Sequence, residues 1–149
     1  TAFCILCLSL MLTATVILSY IFPSSAEGEA LSPVYALTSL ILAPIFEELF
    51  FRWALVNLKK PFLFSVFSSV VFALFHSADA FVPTLILGLL LALFYVSSKN
   101  IFVPIICHMG NNALSLICRF VGDVRIFILI ASILVFLLVV KTRSDEKTK

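Results

Sequence analysis

The sequence predicts an all-α fold, a polytopic membrane helix bundle of about six transmembrane helices, and three observations carry that prediction. Hydrophobic residues make up 62% of the chain and charged residues only 12%, whereas an ordinary soluble domain carries about 25% charge. Runs of roughly twenty apolar residues recur, each long enough to cross a hydrocarbon core of about 30 Å. Backbone in lipid must satisfy its own hydrogen bonds, which leaves helices or a closed barrel. Barrel strands alternate apolar and polar residues, and runs such as Ile126–Val140 do not.

The elements follow in order. Helix one is expected over Ala2–Phe22, stopping at Pro23. Thr1–Phe22 has no basic leader region and exceeds the ~7–15 apolar residues of a secretory signal. A first membrane helix is therefore expected, although Ser24-Ser25-Ala26 resembles a cleavage site. Pro23–Ala30 is a polar loop with Glu27 and Glu29, and helix two runs over Leu31–Leu58, ended by Lys59 and Lys60. Helix three spans Pro61–His76, with a turn at Ser77-Ala78-Asp79. Helix four spans Ala80–Ser98, with a turn at Lys99-Asn100. Helix five spans Ile101–Phe120, and after a break at Gly122-Asp123 helix six continues to Val140. The charged tail, residues 141–149, is expected to be disordered. Pro33, Pro61, Pro83 and Pro104 each fall in a first turn, where a missing N–H costs nothing. Pro44 does not, and should kink or open helix two. No internal repeat or second domain is evident, so residues 1–149 read as one membrane domain with a motif-bearing core over about residues 36–140.

Lysine and arginine in short loops set orientation. Lys59, Lys60, Lys99 and the tail fall on one side of a six-helix bundle, with Glu27, Glu29 and Asp79 on the other, which places both termini in the cytoplasm. Arg119 and Arg125 count against this assignment. The net charge of +2 says little about partners, but the lack of a basic block in the body of the chain argues against nucleic acid. Cys4 and Cys7 have C-x-x-C spacing, yet all four cysteines lie in apolar segments, where packing is the expected role.

The informative residues are charges in helix two. A charge at the bilayer centre costs about 2.5–3.5 kcal/mol on insertion scales, yet Glu47, Glu48 and Arg52 lie close together there. Glu47 is about 18 Å along the helix from Lys59, near the midplane of a ~30 Å core. Glu48 and Arg52 are four residues apart on one face and are expected to pair. Glu47 lies about 100° round the helix and has no such partner. Burial would disfavour its ionised form, the tuning a general base near neutral pH requires. The chain has only two histidines, His76 at the end of helix three and His108 in helix five, and Asn112 shares the face of His108. Gly110 leaves room for close backbone approach. Together these groups fit a convergent site, with a polar cavity between helices two, three and five opened by Pro44 and Gly110. About 24 Å of straight helix separates Lys60 from His76, and only about 12 Å separates Asn100 from His108. Helix three must therefore tilt, or start outside the hydrocarbon.

Glu47-Glu48-x-x-x-Arg52, Phe72-x-x-x-His76 and His108-x-x-x-Asn112, in that order on three apolar helices, resemble the CAAX prenyl protease and bacteriocin-processing family. This is also called the type II CAAX endopeptidase or abortive-infection family, and the resemblance covers roughly Ala36 to Val140. Many relatives have a third glutamate where this chain has Phe46. The resemblance implies an intramembrane glutamate protease. Glu47 would activate water, His76 would hold or deprotonate it, His108 and Asn112 would stabilise the oxyanion, and Glu48 and Arg52 would orient the site. It implies no cofactor and no metal. The implied partners are the lipid bilayer and a membrane-embedded or lipid-anchored peptide or protein substrate, in a multi-pass protein of a bacterial cytoplasmic membrane. Two other readings stay open on the residues alone. Glu47, His76 and His108 offer a His₂Glu zinc set with an open position, although H-E-x-x-H is absent. Buried acids and histidines also serve transporters, and an immunity or scaffold protein need cleave nothing; the repeated halves of a transporter are not seen.

Overall fold

The computed structural model describes residues 2–23, 32–53, 61–121 and 123–147. Ser24-Ser25-Ala26, Glu27, Glu29, Ala54–Leu58, Lys59, Lys60 and Gly122 lie outside the described residues, as does the side chain of Arg119. Among the described residues the chain forms an all-α membrane bundle of six helices. They are α1 (Ala2–Ile21), α2 (four consecutive segments, Pro33–Leu37, Thr38–Leu42, Ala43–Glu48 and Leu49–Trp53), α3 (Pro61–Leu74), α4 (Phe81–Ser98), α5 (Phe102–Val121) and α6 (Arg125–Lys147). Ala2–Ile21, Pro33–Arg52, Phe81–Ser98 and Arg125–Asp145 are long and apolar enough to cross a membrane, while Leu63–Leu74 and Phe102–Cys118 are shorter apolar helices.

The helix starts follow local chemistry. The Ser32 side chain caps α2 by accepting from Tyr35 N–H at 3.1 Å, and Asn100 Oδ1 accepts from Phe102 N–H at 3.0 Å to start α5. Pro33, Pro61, Pro83 and Pro104 stand in first turns as expected. α4 ends with Lys99 in the left-handed region, φ 54°, its N–H donating to Tyr95 O at 2.8 Å. A glycine would hold that cap without steric cost.

Two expectations need correction. The tail is helical to Lys147 rather than disordered from residue 141. Lys141, Arg143 and Asp145 extend a helix already nucleated in apolar sequence, and propagation costs far less than nucleation; basic residues also suit a helix C-terminus. α3 ends at Leu74, two residues short of His76, which sits in the turn that follows. The chain thus delivers His76 by leaving the helix.

α1 packs most extensively on α6, and α3 on α4, while α1 also touches α5 and α4. Where α1, α4 and α5 meet, Cys7, Met11, Leu91, Phe94, Val103 and Cys107 form an apolar core. The four cysteines are free, and Cys7 and Cys107 serve as small core residues. Gly110 faces α1, where an added Cβ would meet Leu8 Cδ1 at 2.6 Å. It therefore spaces α5 from α1 and does not open the cavity assigned to it from sequence. Much of α6 is exposed and apolar (Phe127, Leu134, Leu138), as a lipid-facing surface must be. Arg125, which counted against the charge asymmetry, pairs with Asp123 at 2.7 Å and stacks on Tyr20.

Candidate active site

α2 departs from ordinary α geometry on both sides of the glutamates. Thr38–Leu42 is π-helical, as is Leu49–Trp53, and such wide turns collect at functional sites. The first lies directly before Pro44, where the sequence calls for an opening. In that stretch Ala43 N–H donates to Thr38 O, five residues back. The next bond of the series would run from residue 44 to Ser39 O, but proline has no N–H to give.

Glu48 and Arg52 form the expected ion pair, Arg52 Nε to Glu48 Oε2 at 3.1 Å, with side chains 1% and 0% exposed. Those two atoms are close but poorly aligned for a hydrogen bond, so the attraction is chiefly ionic. The rest of the guanidinium is well served. Nη1 donates to Ser68 Oγ of α3 at 3.0 Å and Nη2 donates to Gly88 O of α4 at 3.1 Å. Its carbon lies 5.5 Å from the Phe72 ring centroid. Arg52 thereby ties α2 to α3 and α4. Gly88 permits this, since a Cβ there would lie 3.2 Å from Phe72 Cδ1 and 3.4 Å from Ser69 Cβ.

His108 reaches across from α5 and stands between the two carboxylates. Its Nδ1 is 3.1 Å from Glu48 Oε1, and its Nε2 is 3.6 Å from Glu47 Oε2. Glu48, paired with Arg52, is an acceptor, so Nδ1 carries hydrogen. Glu47 differs from its neighbour in being 33% exposed at the side chain. It borders a cavity of about 430 Å³ together with His76, Phe46, Phe50, Phe51, Phe72 and Phe75. His76 Nδ1 lies 3.0 Å from Phe72 O; a carbonyl only accepts, so that nitrogen donates, and in the neutral ring Nε2 keeps its lone pair.

The cavity lies between α2 and the end of α3, with no α5 residue lining it, and five of its seven lining residues are phenylalanines. The polar cavity expected among helices two, three and five is thus an aromatic cleft with two polar groups. The reason is packing: His108 is buried behind Glu47, edge-on to Phe72 at 5.7 Å and 86°. Phe72 also contacts His76 at 4.8 Å and Phe51 at 5.3 Å, so one ring separates the two imidazoles. Asn112 is not at the cleft either. Its Nδ2 donates to Ser39 O at 2.8 Å, and its Oδ1 accepts from Asn111 Nδ2 at 3.0 Å.

Glu47, Glu48, Arg52 and His108 are therefore brought together, His76 shares the cleft with Glu47, and Asn112 stands one step away. Among the described residues no three His, Cys, Asp or Glu side chains are grouped as metal ligands would be. Ser68, Gly88, Asn111 and Ser39 were not singled out by the sequence reading. Two signals pointed to Ser68 and Gly88, namely Ser65, Ser68 and Ser69 in the apolar α3 and a lone glycine inside α4, both typical of close helix contact in membranes; neither marks Asn111 or Ser39.

No solved structure matches the chain. A relative among curated proteins is the membrane-embedded CAAX protease MroQ of Staphylococcus aureus (strain USA300), 33% identical over 91 residues, covering 54% of this chain and 37% of that protein. The chain thus spans well under half the length of that relative. The sequence model of the family described as type II CAAX prenyl endopeptidase Rce1-like matches residues 29–114, a stretch holding Glu47, Glu48, Arg52, His76, His108 and Asn112. With more than half of its residues inside that match, the chain belongs to the Rce1-like type II CAAX prenyl endopeptidases, a family of membrane proteases.

Proposed function

We propose that the protein is an intramembrane endopeptidase in which Glu47 is the general base for water attack on a peptide bond. The observation that carries this reading is the division between two adjacent glutamates. Glu48 is fully buried and held by Arg52 and His108, while Glu47 is one-third exposed and borders a cleft shared with His76. The first pattern suits a fixed counter-charge, and the second suits a group that must meet water.

The steps balance as an acid–base hydrolysis. Water between Glu47 and His76 gives a proton to Glu47, and its oxygen bonds to the substrate carbonyl carbon. Negative charge develops on the former carbonyl oxygen, and donors fixed in advance stabilise it most. Asn112 stands behind the cleft with one N–H engaged by Ser39 O; a primary amide has a second, which serves as the oxyanion donor for a scissile carbonyl that reaches past the cleft toward α5. Collapse breaks the C–N bond and the proton passes from Glu47 to the leaving amine. His108 positions the base: its Nδ1–H is directed at Glu48 and its Nε2 stands 3.6 Å from Glu47 Oε2, which leaves Glu47 free to take the proton from water. Arg52 positions Glu48 and does not touch substrate.

The substrate is a membrane-embedded or lipid-anchored peptide, since Phe46, Phe50 and Phe75 are exposed beside the cleft and an apolar mouth admits apolar chain. The setting is a bacterial cytoplasmic membrane, with the charge asymmetry placing the termini inside. The test is Glu47→Gln at matched expression, comparing membrane peptides by mass spectrometry. Loss of about 10²–10⁴-fold in cleavage, with an uncut precursor accumulating, is expected of a missing general base. Identical peptide profiles would leave a scaffold or immunity role instead.

A further inference from the structure

We infer that Thr15 of α1 and Asn111 of α5 are positioning residues that fix the orientation of the Asn112 amide through one directional hydrogen-bond chain. This rests on the reading of Asn112 as the oxyanion donor. It also brings into the site a helix, α1, that lies wholly outside the stretch matched by the family, residues 29–114.

The chain's direction is set at its far end. Pro44 cannot complete the π-turn series, so Ser39 O is left open within α2. Asn112 Nδ2 occupies it at 2.8 Å. A carbonyl only accepts, so Asn112 must present its NH₂ there and turn its Oδ1 toward Asn111. Asn111 must then present Nδ2, which it does at 3.0 Å, and its own Oδ1 faces α1. There Thr15 Oγ1 lies 2.7 Å away. Thr15 Oγ1 is also 2.9 Å from Met11 O, but a hydroxyl has one proton, and Asn111 Oδ1 has first claim on it because the amide cannot flip. Flipping both amides would oppose Asn112 Oδ1 to Ser39 O, acceptor against acceptor. The only polarity that satisfies every member runs from Thr15 through Asn111 and Asn112 to Ser39. In a low-dielectric interior such a chain strengthens each link, and a broken link is costly.

Removing the Thr15 hydroxyl leaves Asn111 Oδ1 without its donor. Asn111 is then free to turn, and Asn112 retains only its bond to Ser39. The second Asn112 N–H loses its fixed direction, which weakens transition-state stabilisation and leaves substrate binding in the cleft alone.

The experiment uses the full chain in detergent micelles with Thr15→Val, which keeps shape and removes the hydroxyl, Thr15→Ser, which restores it, and Asn111→Leu as an independent break. The first readout needs no substrate: solvent exchange of the Asn112 side-chain amide protons, followed by NMR on 15N-labelled protein. Exchange about tenfold faster in Thr15→Val and in Asn111→Leu, with Thr15→Ser at the wild-type rate, is expected for a lost hydrogen bond of ordinary strength. Unchanged exchange and shifts in Thr15→Val, or equal changes in the serine and valine variants, overturn the chain. The second readout is cleavage of the precursor peptide that accumulates with Glu47→Gln. A kcat about tenfold lower with KM within about twofold is expected for Thr15→Val, and recovery for Thr15→Ser. Altered amide exchange with unchanged kcat overturns the positioning role while leaving the protease reading intact. Identical membrane-peptide profiles in wild type and Glu47→Gln overturn the protease reading and, with it, the catalytic purpose of the chain, whereas the amide exchange still decides whether the chain exists.

Discussion

Arg52→Met is the perturbation whose size the structure best defines. Methionine matches the length of the stem but removes the charge, the 3.1 Å contact with Glu48 and the bonds to Ser68 Oγ and Gly88 O. Glu48, 0% exposed at the side chain, would keep only His108 Nδ1 at 3.1 Å. Breaking a buried pair from one side costs about 3–5 kcal/mol, because the other charge stays buried and uncompensated. Losing the bond to Gly88 O also loosens α2 from α4, so the upper half of that range is expected. The discriminating variant is Arg52→Met with Glu48→Leu. If the penalty is the stranded carboxylate, removing both charges should recover most of it and leave a net cost of about 1–2 kcal/mol, the residue being the vacated partners on Ser68, Gly88 and His108. The assay is equilibrium unfolding in mixed micelles as the mole fraction of denaturing detergent rises. A loss below about 1 kcal/mol for Arg52→Met, or a double variant no better than the single, would refute the assignment of Arg52 as the clamp on a charged Glu48.

Two further outcomes follow from the ends of the helices. Lys99 holds a left-handed cap at φ 54°, so Lys99→Gly should stabilise the protein by about 1 kcal/mol in the same assay; destabilisation would show that the lysine side chain matters more than the strain. The Asp123 carboxyl is held down from 3.8 to about 2, chiefly by side-chain hydrogen bonds from Arg125 and then by the Arg125 backbone N–H. A depressed acid contributes stability above its unfolded value and loses it as pH falls through the folded value. The contribution should therefore be complete above about pH 4 and vanish toward pH 2, and Asp123→Asn should flatten that part of the unfolding profile against pH.

The sequence by itself determined the membrane bundle, the number and order of its helices and the Glu48–Arg52 pair. These depend on local rules: apolar length against bilayer thickness, proline in first turns, and i,i+4 spacing on one helix face. It also marked Pro44 as a break, since a missing N–H is a property of the residue. It misjudged the tail, because charged composition argues for disorder only where no helix is already under way. Tertiary structure alone decided how the marked residues divide. Nothing in Glu47-Glu48 says which carboxylate is sealed and which meets the cleft; that depends on His108, Ser68 and Gly88 arriving from three other helices. Nor does the residue spacing say that Phe72 stands between the imidazoles, or that Asn112 turns to Ser39. Those are choices of partner made across the bundle, where a buried polar group must take whichever complementary atom the packing brings within reach.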